Sequence, residues 1–291
     1  MPTGNVGDDL NAILWKDYVD FNKLAETDVI VGIGSILNDK MPAFVGKDIY
    51  VIGSGIGYGG LPNVTNKWNF VGVRGTITRD KLKLSKDIPI LDAAYLADFS
   101  YLQIQKQSGK FGYIPHMQSL DNGPWQRVCD SAGLELIDPR MSVGEFTAKI
   151  LSCEKVLCEA MHGAIFADML RVPWQPVKAY THIDERKWDD WLSAFGTTVN
   201  FNRLNGIWKK IEVPKKERFK NFMKTLVLQV HDTNNIYNPI FPESSEKDFD
   251  KLVKQLEALK KEKFYLNPAN LVDSAKNRLI ESIAKYHWAK R

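Results

Sequence analysis

The chain contains no run of about 18 apolar residues and no charged start followed by a short apolar core. Neither membrane spanning nor export is therefore expected from the sequence, and the expected compartment is the cytoplasm. Cysteine is scarce. Cys129, Cys153 and Cys158 are odd in number and lack the C-x-x-C spacing of zinc sites, so they read as free thiols in a reducing compartment, with no metal site expected. Charge of one sign is scarce too. A formal net charge of +4 permits an anionic ligand but does not argue for nucleic acid. Internal repeats and low-complexity tracts are also missing. What remains is 291 residues of ordinary globular composition, 44% hydrophobic and 25% charged. That length suits two domains of about 100–150 residues each.

Strand-like and helix-like patterns alternate along the chain. Residues 8–21 carry Leu10, Ile13, Leu14, Tyr18 and Phe21 at helical spacing, with Asp8 or Asp9 able to cap the start. Residues 28–34, 48–53 and 70–74 are short apolar runs, the pattern of parallel strands covered on both faces. Thr78 begins a helix-like stretch, and residues 88–91 close this half. The polar, glycine-containing stretch 106–110 predicts a boundary. A second series follows, with strands at 111–115, 134–138 and 155–158 and helices near 125–132 and 142–151. Helices are predicted at 184–195, 215–230, 246–261 and 270–288, and the basic run 209–220 reads as a solvated helix face. The expected architecture is α/β, with two Rossmann-like domains facing across a cleft and long C-terminal helices. Its divisions fall at residues 1–108, 109–240 and 241–291.

The stretch Lys155-Val-Leu-Cys-Glu-Ala-Met-His162-Gly163 reads as a buried strand and a tight turn at His162-Gly163, with a helix after it. Such a turn aims backbone N–H groups and the positive end of a helix dipole at whatever binds there, which favours an anion. The glycine cluster Gly53-Ser-Gly55-Ile-Gly57-Tyr-Gly59-Gly60 fits G-x-G-x-x-G at Gly55, Gly57 and Gly60. It follows an internal strand and precedes no convincing helix, so a loop that lets backbone approach a ligand is expected rather than a dinucleotide site. Arg74 ends a strand and Arg79 lies in the helical turn beyond; a guanidinium suits capture of a carboxylate or phosphate. His116, Lys178 and His182 also fall at or just past strand ends.

In order along the chain stand Asn5-Val-Gly-Asp-Asp-Leu-Asn11, Val31-Gly-Ile-Gly-Ser-Ile-Leu37, Val73-Arg-Gly-Thr-Ile-Thr-Arg79 and Tyr113-Ile-Pro-His116. Ile137-Asp-Pro-Arg140, Glu159-Ala-Met-His-Gly-Ala-Ile-Phe-Ala-Asp168, Arg171-Val-Pro-Trp174 and Lys187-Trp-Asp-Asp-Trp191 follow. Together they resemble the polysaccharide pyruvyl transferases, in particular the branch acting on exopolysaccharides such as succinoglycan. The resemblance implies a glycosyltransferase-B-like fold and phosphoenolpyruvate as donor, with no further cofactor. Pyruvate would be transferred as a cyclic ketal to two hydroxyls of a hexose in an oligosaccharide or lipid-linked saccharide. A lipid-linked acceptor would draw the protein to the inner face of the membrane. Under this reading His162, Asp8 and Asp9 carry the catalysis. Arg74, His162, Gly163, Lys178 and Arg79 hold the donor, with His182 as the alternative to Lys178. Asn5, Gly34, Ser35 and His116 meet the acceptor. The strand that family members carry before the Asn-x-Gly-Asp motif is expected to be missing here. Two other functions fit the same architecture: a nucleotide-sugar glycosyltransferase and a non-catalytic sugar-polymer binding protein.

Overall fold

The computed structural model describes residues 4–42, 44, 46–209 and 243–290. The helix expected at 215–230 and all of the basic run 209–220 except Lys209 lie outside them. The first described element is α1 (Val6–Leu14). Its cap is Asn5, whose side chain accepts from Gly7 N, so Asp8 and Asp9 sit inside the first turn rather than capping it. There they face the positive end of the helix dipole. Helical geometry does not run on to Phe21, because Val19 is drawn into an antiparallel bridge with Ala289.

Three parallel strands follow in spatial order, β1 (Asp28–Val31), β2 (Asp48–Ser54) and β3 (Trp68–Val73). Alternation along β2 divides its side chains, with Ile49 and Val51 on one face and Tyr50 and Ile52 on the other; in β3 Val71 joins the second set and Val73 the first, because the ladder is irregular between Phe70 and Gly72. The stretch 88–91 that closes this half contributes a single bridge, from Ile90 to Val73. Helix α2 (Thr76–Lys81) follows β3. The glycine cluster is a packing device. Gly55 lies against the Arg74 guanidinium, Gly57 beneath the Ser35 carbonyl, and Gly59 and Gly60 beside Asp39, where side chains would collide. Its glycines approach a neighbouring loop and an internal arginine, while Tyr58 within the cluster lines the cavity described below.

The second sheet holds β4 (Phe111–Ile114), β5 (Glu135–Leu136), β6 (Lys155–Cys158), β7 (Trp174–Lys178) and β8 (Asn202–Arg203). All are parallel, in the order β5-β4-β6-β7-β8. From β4 the chain runs through α3 (Met117–Asn122) and α4 (Trp125–Ala132) to one side, then returns through α5 (Val143–Ser152) to the other. This order has a switch point between β4 and β6, where connections leave in opposite directions and open a crevice at the strands' C-terminal ends. Helix α4 and α8 (Glu246–Leu259) cover the face bearing Tyr113, Leu157 and Val177. Helices α5 and α6 (Met161–Met169) cover the face bearing Ile114, Val156 and Cys158. A capping box, Ser142 with Glu145, starts α5.

The core between the sheets draws on both. One buried cluster holds Leu10 and Leu14 of α1 together with Tyr50, Ile52 and Val71 of the first sheet and Ile114, Val156 and Phe166 of the second half. The boundary near 106–110 thus separates the sheets but not their core. Asp168, buried there, accepts hydrogen bonds from Tyr95 Oη (2.7 Å), Trp174 Nε1 (2.9 Å) and Asn267 N (2.8 Å). Its charge is fully partnered, as burial demands. After α7 (Glu185–Leu192) and α8 comes α9 (Ala269–Ile283), which crosses back onto the first sheet. Leu279 fills the space over Gly72, and Ser282 Oγ donates to Val71 O at 2.7 Å. Cys129, Cys153 and Cys158 are buried and unpaired, and burial pushes the Cys153 thiol up to about 11. Among the described residues no helix is long and apolar enough to cross a membrane.

Leu279 is fully buried against a backbone that has no side chain to fill the space it would leave. Leu279→Ala should therefore lower unfolding free energy by about 2–5 kcal/mol, measured by urea titration. A loss near that of an exposed substitution, ~0.5 kcal/mol or less, would contradict the packing of α9 on β3.

Candidate active site

A cavity of about 270 Å³ opens at the switch point of the second sheet. That is below the ~300–1,000 Å³ typical of sites for drug-sized molecules and suits a small ligand. The residues just beyond β4 and β6, the start of α6 and the loop after β7 form one wall. The opposite wall is α1 with the loop after β1, and Lys187 and Trp188 of α7 close one side.

The expected turn at His162-Gly163 lies one step earlier. Ala160 is the N-cap of α6, and His162 and Gly163 belong to its first turn. Gly163 sits there because its missing side chain admits Ile114. No side chain caps this helix. The backbone N–H groups of Met161, His162 and Gly163 find no partner among the described residues, and all three residues line the cavity. An uncapped helix start of this kind presents donors and positive potential to an anion. The His162 imidazole lies against Gly7, whose position on α1 leaves no room for a side chain. Its Nε2 is sealed from solvent without a hydrogen bond, 3.7 Å from Oδ2 of the buried Asp92.

Facing this wall, Asp8 lines the cavity beside Gly34 and Ser35, and Asn5 Nδ2 donates to Asp8 Oδ2 at 3.0 Å. Asn11 fixes α1 to the loop after β1: its Oδ1 accepts from Ile33 N (2.8 Å) and its Nδ2 donates to Ile33 O (3.0 Å).

Two histidines occupy the end beyond β4 and β7. His116 and His182 approach with ring centroids 4.9 Å apart, and Ser119 Oγ lies 3.2 Å from His182 Nε2. Burial, with Lys187 close by, lowers His116 to about 4. Burial lowers His182 to about 4 as well, with His116 and Lys178 adding to it. Both rings are thus neutral at pH 7. Beneath them the buried Glu159 accepts from His116 N (3.2 Å) and Ala179 N (2.9 Å), clamping the ends of β4, β6 and β7 together. Burial raises its carboxyl above the ordinary range, against the bonds it accepts. Lys187 supplies the cation. Burial first, and Arg74 second, bring its ammonium down to about 8. Its Nζ stands 3.6 Å from the ring centroid of Tyr58.

The structure therefore gathers Asn5, Asp8, Gly34, Ser35, His116, His162, Gly163 and His182 around one cavity. It leaves four sequence candidates off the wall. Asp9 is on α1 but does not line the cavity. Arg74 lies fully buried behind the wall, with Nε on Asp190 Oδ2 at 3.0 Å and Nη1 on Ser35 Oγ at 2.5 Å. Arg79 reaches Lys86 O and Asp80. Lys178 Nζ pairs with Glu185 at 2.7 Å. Each of these cations is turned to a carboxylate or carbonyl of the protein, although Arg79 Nε, 3.8 Å from Asp80, makes no hydrogen bond. Sequence reading missed Lys187, Glu159 and Tyr58 as members of the wall. Lys187 and Glu159 stood inside quoted motifs, but nothing local distinguishes a cavity lysine from a solvated one. Among the described residues no three His, Cys, Asp or Glu side chains are grouped as a metal site requires.

The sequence profile of the family described as "Polysaccharide pyruvyl transferase" matches residues 5–177. The succinoglycan biosynthesis protein ExoV of Rhizobium meliloti (strain 1021) is 38% identical over 206 residues. That alignment covers 69% of this chain and 65% of the relative. No solved structure matches the chain.

The two neutral histidines make stability depend on pH. Their values drop from 6.5 to about 4 on folding, so the unfolded chain takes up protons first as pH falls. Their contribution should be constant above pH 6.5 and erode between 6.5 and about 4. Urea titrations across that window should show a shallower loss for the double variant His116→Gln, His182→Gln. Parallel curves for the two proteins would mean that the rings are solvated.

Proposed function

The chain belongs to the polysaccharide pyruvyl transferase family, and on that premise we propose that phosphoenolpyruvate is its donor. The transferred pyruvate becomes a cyclic ketal on two hydroxyls of a hexose, and phosphate is released. The acceptor is a bacterial surface polysaccharide or its lipid-linked precursor, a choice supported by the part the relative plays in succinoglycan biosynthesis. The chain spans about 65% of that relative's length. Residues 1–108 carry the acceptor side and 109–240 the donor side of a glycosyltransferase-B-like arrangement, and the described helices of 241–291 pack back on both.

One observation carries this reading: a small cavity sets an uncapped helix start, His162 and Lys187 opposite the carboxylate of Asp8. Phosphoenolpyruvate places a carboxylate and a phosphate on one three-carbon frame. Lys187 and the N–H groups of Met161, His162 and Gly163 are donors that converge on such an anion from two elements. The chemistry then needs a proton at the methylene carbon. His162 gives it, the C2=C3 π pair forms the new C–H bond, and C2 becomes electrophilic beside the ester oxygen. An acceptor hydroxyl attacks C2 and passes its proton to Asp8. The C2–O bond to phosphate breaks, and the second hydroxyl closes the ketal, its proton leaving with phosphate. Atoms and charge balance without a cofactor. Arg74 acts one layer back, fixing Ser35 on the acceptor wall. The donor is a cytoplasmic metabolite, so the reaction belongs in the cytoplasm or at the inner face of its membrane.

Thermal shift separates this reading from its competitors, because a ligand that binds only the native state raises the melting temperature. Phosphoenolpyruvate should raise it and UDP-sugars should not; the reverse would identify a nucleotide-sugar enzyme, and neither a polymer-binding protein. Lys187→Gln should weaken donor binding by about tenfold or more, the loss of one charge-assisted contact at ~1.5–3 kcal/mol. His162→Asn should keep the native melting temperature while phosphate release falls by about 10²–10⁴-fold. Near-normal turnover in that variant would remove His162 from the chemistry.

A further inference from the structure

We propose that Asp92 is the positioning carboxylate for His162, holding the Nε2 proton so that Nδ1, beside Gly7 of α1, is the nitrogen left to give or take one. This rests on the reading of His162 as the proton donor.

Asp92 stands at the start of a short 3₁₀ turn, Ala93–Leu96, and is 0% exposed. Its Oδ1 accepts from Ala94 N at 3.0 Å and is satisfied. Its Oδ2 is sealed from solvent and has no hydrogen bond. His162 Nε2 is sealed and without a hydrogen bond in the same way, and the two atoms face each other across 3.7 Å. A buried carboxylate oxygen and a buried ring nitrogen are each costly when unpartnered. One contact, tightened to the ~2.7–3.2 Å of a hydrogen bond, satisfies both. Apo sites often hold catalytic hydrogen bonds long in this way until ligand arrives.

Both partners are fixed from behind. Gly53, with φ +77°, presses the end of β2 against Ala93, where a side chain would strike the turn. Gly7 presses α1 against the ring on its Nδ1 side. The ring is 14% exposed although Nε2 is closed off, so its access to the cavity is by its other atoms. With the Nε2 proton committed to Asp92, a neutral ring offers a bare Nδ1 and a protonated ring offers Nδ1–H. Removing the carboxylate charge leaves the two neutral tautomers in competition and strips the imidazolium of its partner, as in other histidine–carboxylate pairs.

Nitrogen chemical shifts of [15N]histidine-labelled protein test this without any assay, with the His162 signals assigned by their loss in His162→Asn. In the native protein the neutral ring of His162 should carry its proton on Nε2; a proton on Nδ1 would overturn the proposal, whatever the variants do. Asp92→Asn keeps an acceptor for Ala94 N and the residue's volume. It should mix the tautomers and lower kcat by about 10² or more, with KM for phosphoenolpyruvate within about twofold. Unchanged tautomer or unchanged kcat in that variant would also overturn it. If Asp92→Asn does not fold, the native spectrum alone decides. Normal turnover in His162→Asn would instead sink the reading of His162 as acid and leave the tautomer measurement standing.

Discussion

Two opposite charges taken out of water, Arg74 at the end of β3 and Asp190 on α7, hold the halves of the molecule in register. Neither is exposed, and each nitrogen of the guanidinium and each oxygen of the carboxylate has a hydrogen-bond partner. Asp190 accepts from Arg74 Nε (3.0 Å), Thr78 N (2.8 Å) and Thr78 Oγ1 (2.6 Å), while Arg74 also reaches Ser35 Oγ and Ile56 O. Breaking such a pair from one side costs about 3–5 kcal/mol, because the remaining charge is stranded. Space is specified as tightly as charge. Gly75 meets the Asp190 backbone and Gly55 the guanidinium, and neither tolerates a β-carbon. The pair orients α7, and Lys187, three residues before Asp190, is carried into the cavity by it. Ser35 is held on the opposite wall by the same guanidinium.

Several sequence motifs turn out to be parts of one another's environment. Asn5 caps α1, Gly7 makes room for His162, Asp8 faces the cavity, and Asn11 anchors the loop that carries Gly34 and Ser35. Val6 N bonds Pro139 O at 2.9 Å, which joins the first motif to the Ile137–Arg140 stretch. Glu159 joins the ends of three strands, and the Trp188–Trp191 segment packs into the shared core against Trp174. Such dependence explains why the segments occur together: each is shaped to fit another far away in sequence.

The α/β pattern, most element positions and the anion-favouring start of α6 were legible because they are written in short-range periodicity, glycine placement and strand-to-helix order. The helix at Trp125–Ala132 was read at its true bounds. What escaped depends on partners remote in sequence. Arg74 looked like a ligand-binding arginine because its partner stands 116 residues on. Lys178 looked available until Glu185 folded onto it. Lys187 was quoted only as the start of a motif, because what distinguishes it is its approach to Tyr58 and Arg74, both remote in sequence. Asp92 carried no signal at all, since a lone aspartate before two alanines reads only as a turn.

Covering β3 with α9 has a consequence for the nascent protein. The first sheet leaves the ribosome as three strands whose Val71 and Gly72 face waits for Leu279 and Ser282. At synthesis rates of about 5–20 residues per second that face stays bare for about 10–40 s. A parallel sheet with an uncovered apolar surface pairs readily with other chains. The length of that exposure is set by the distance along the chain between a strand and its lid.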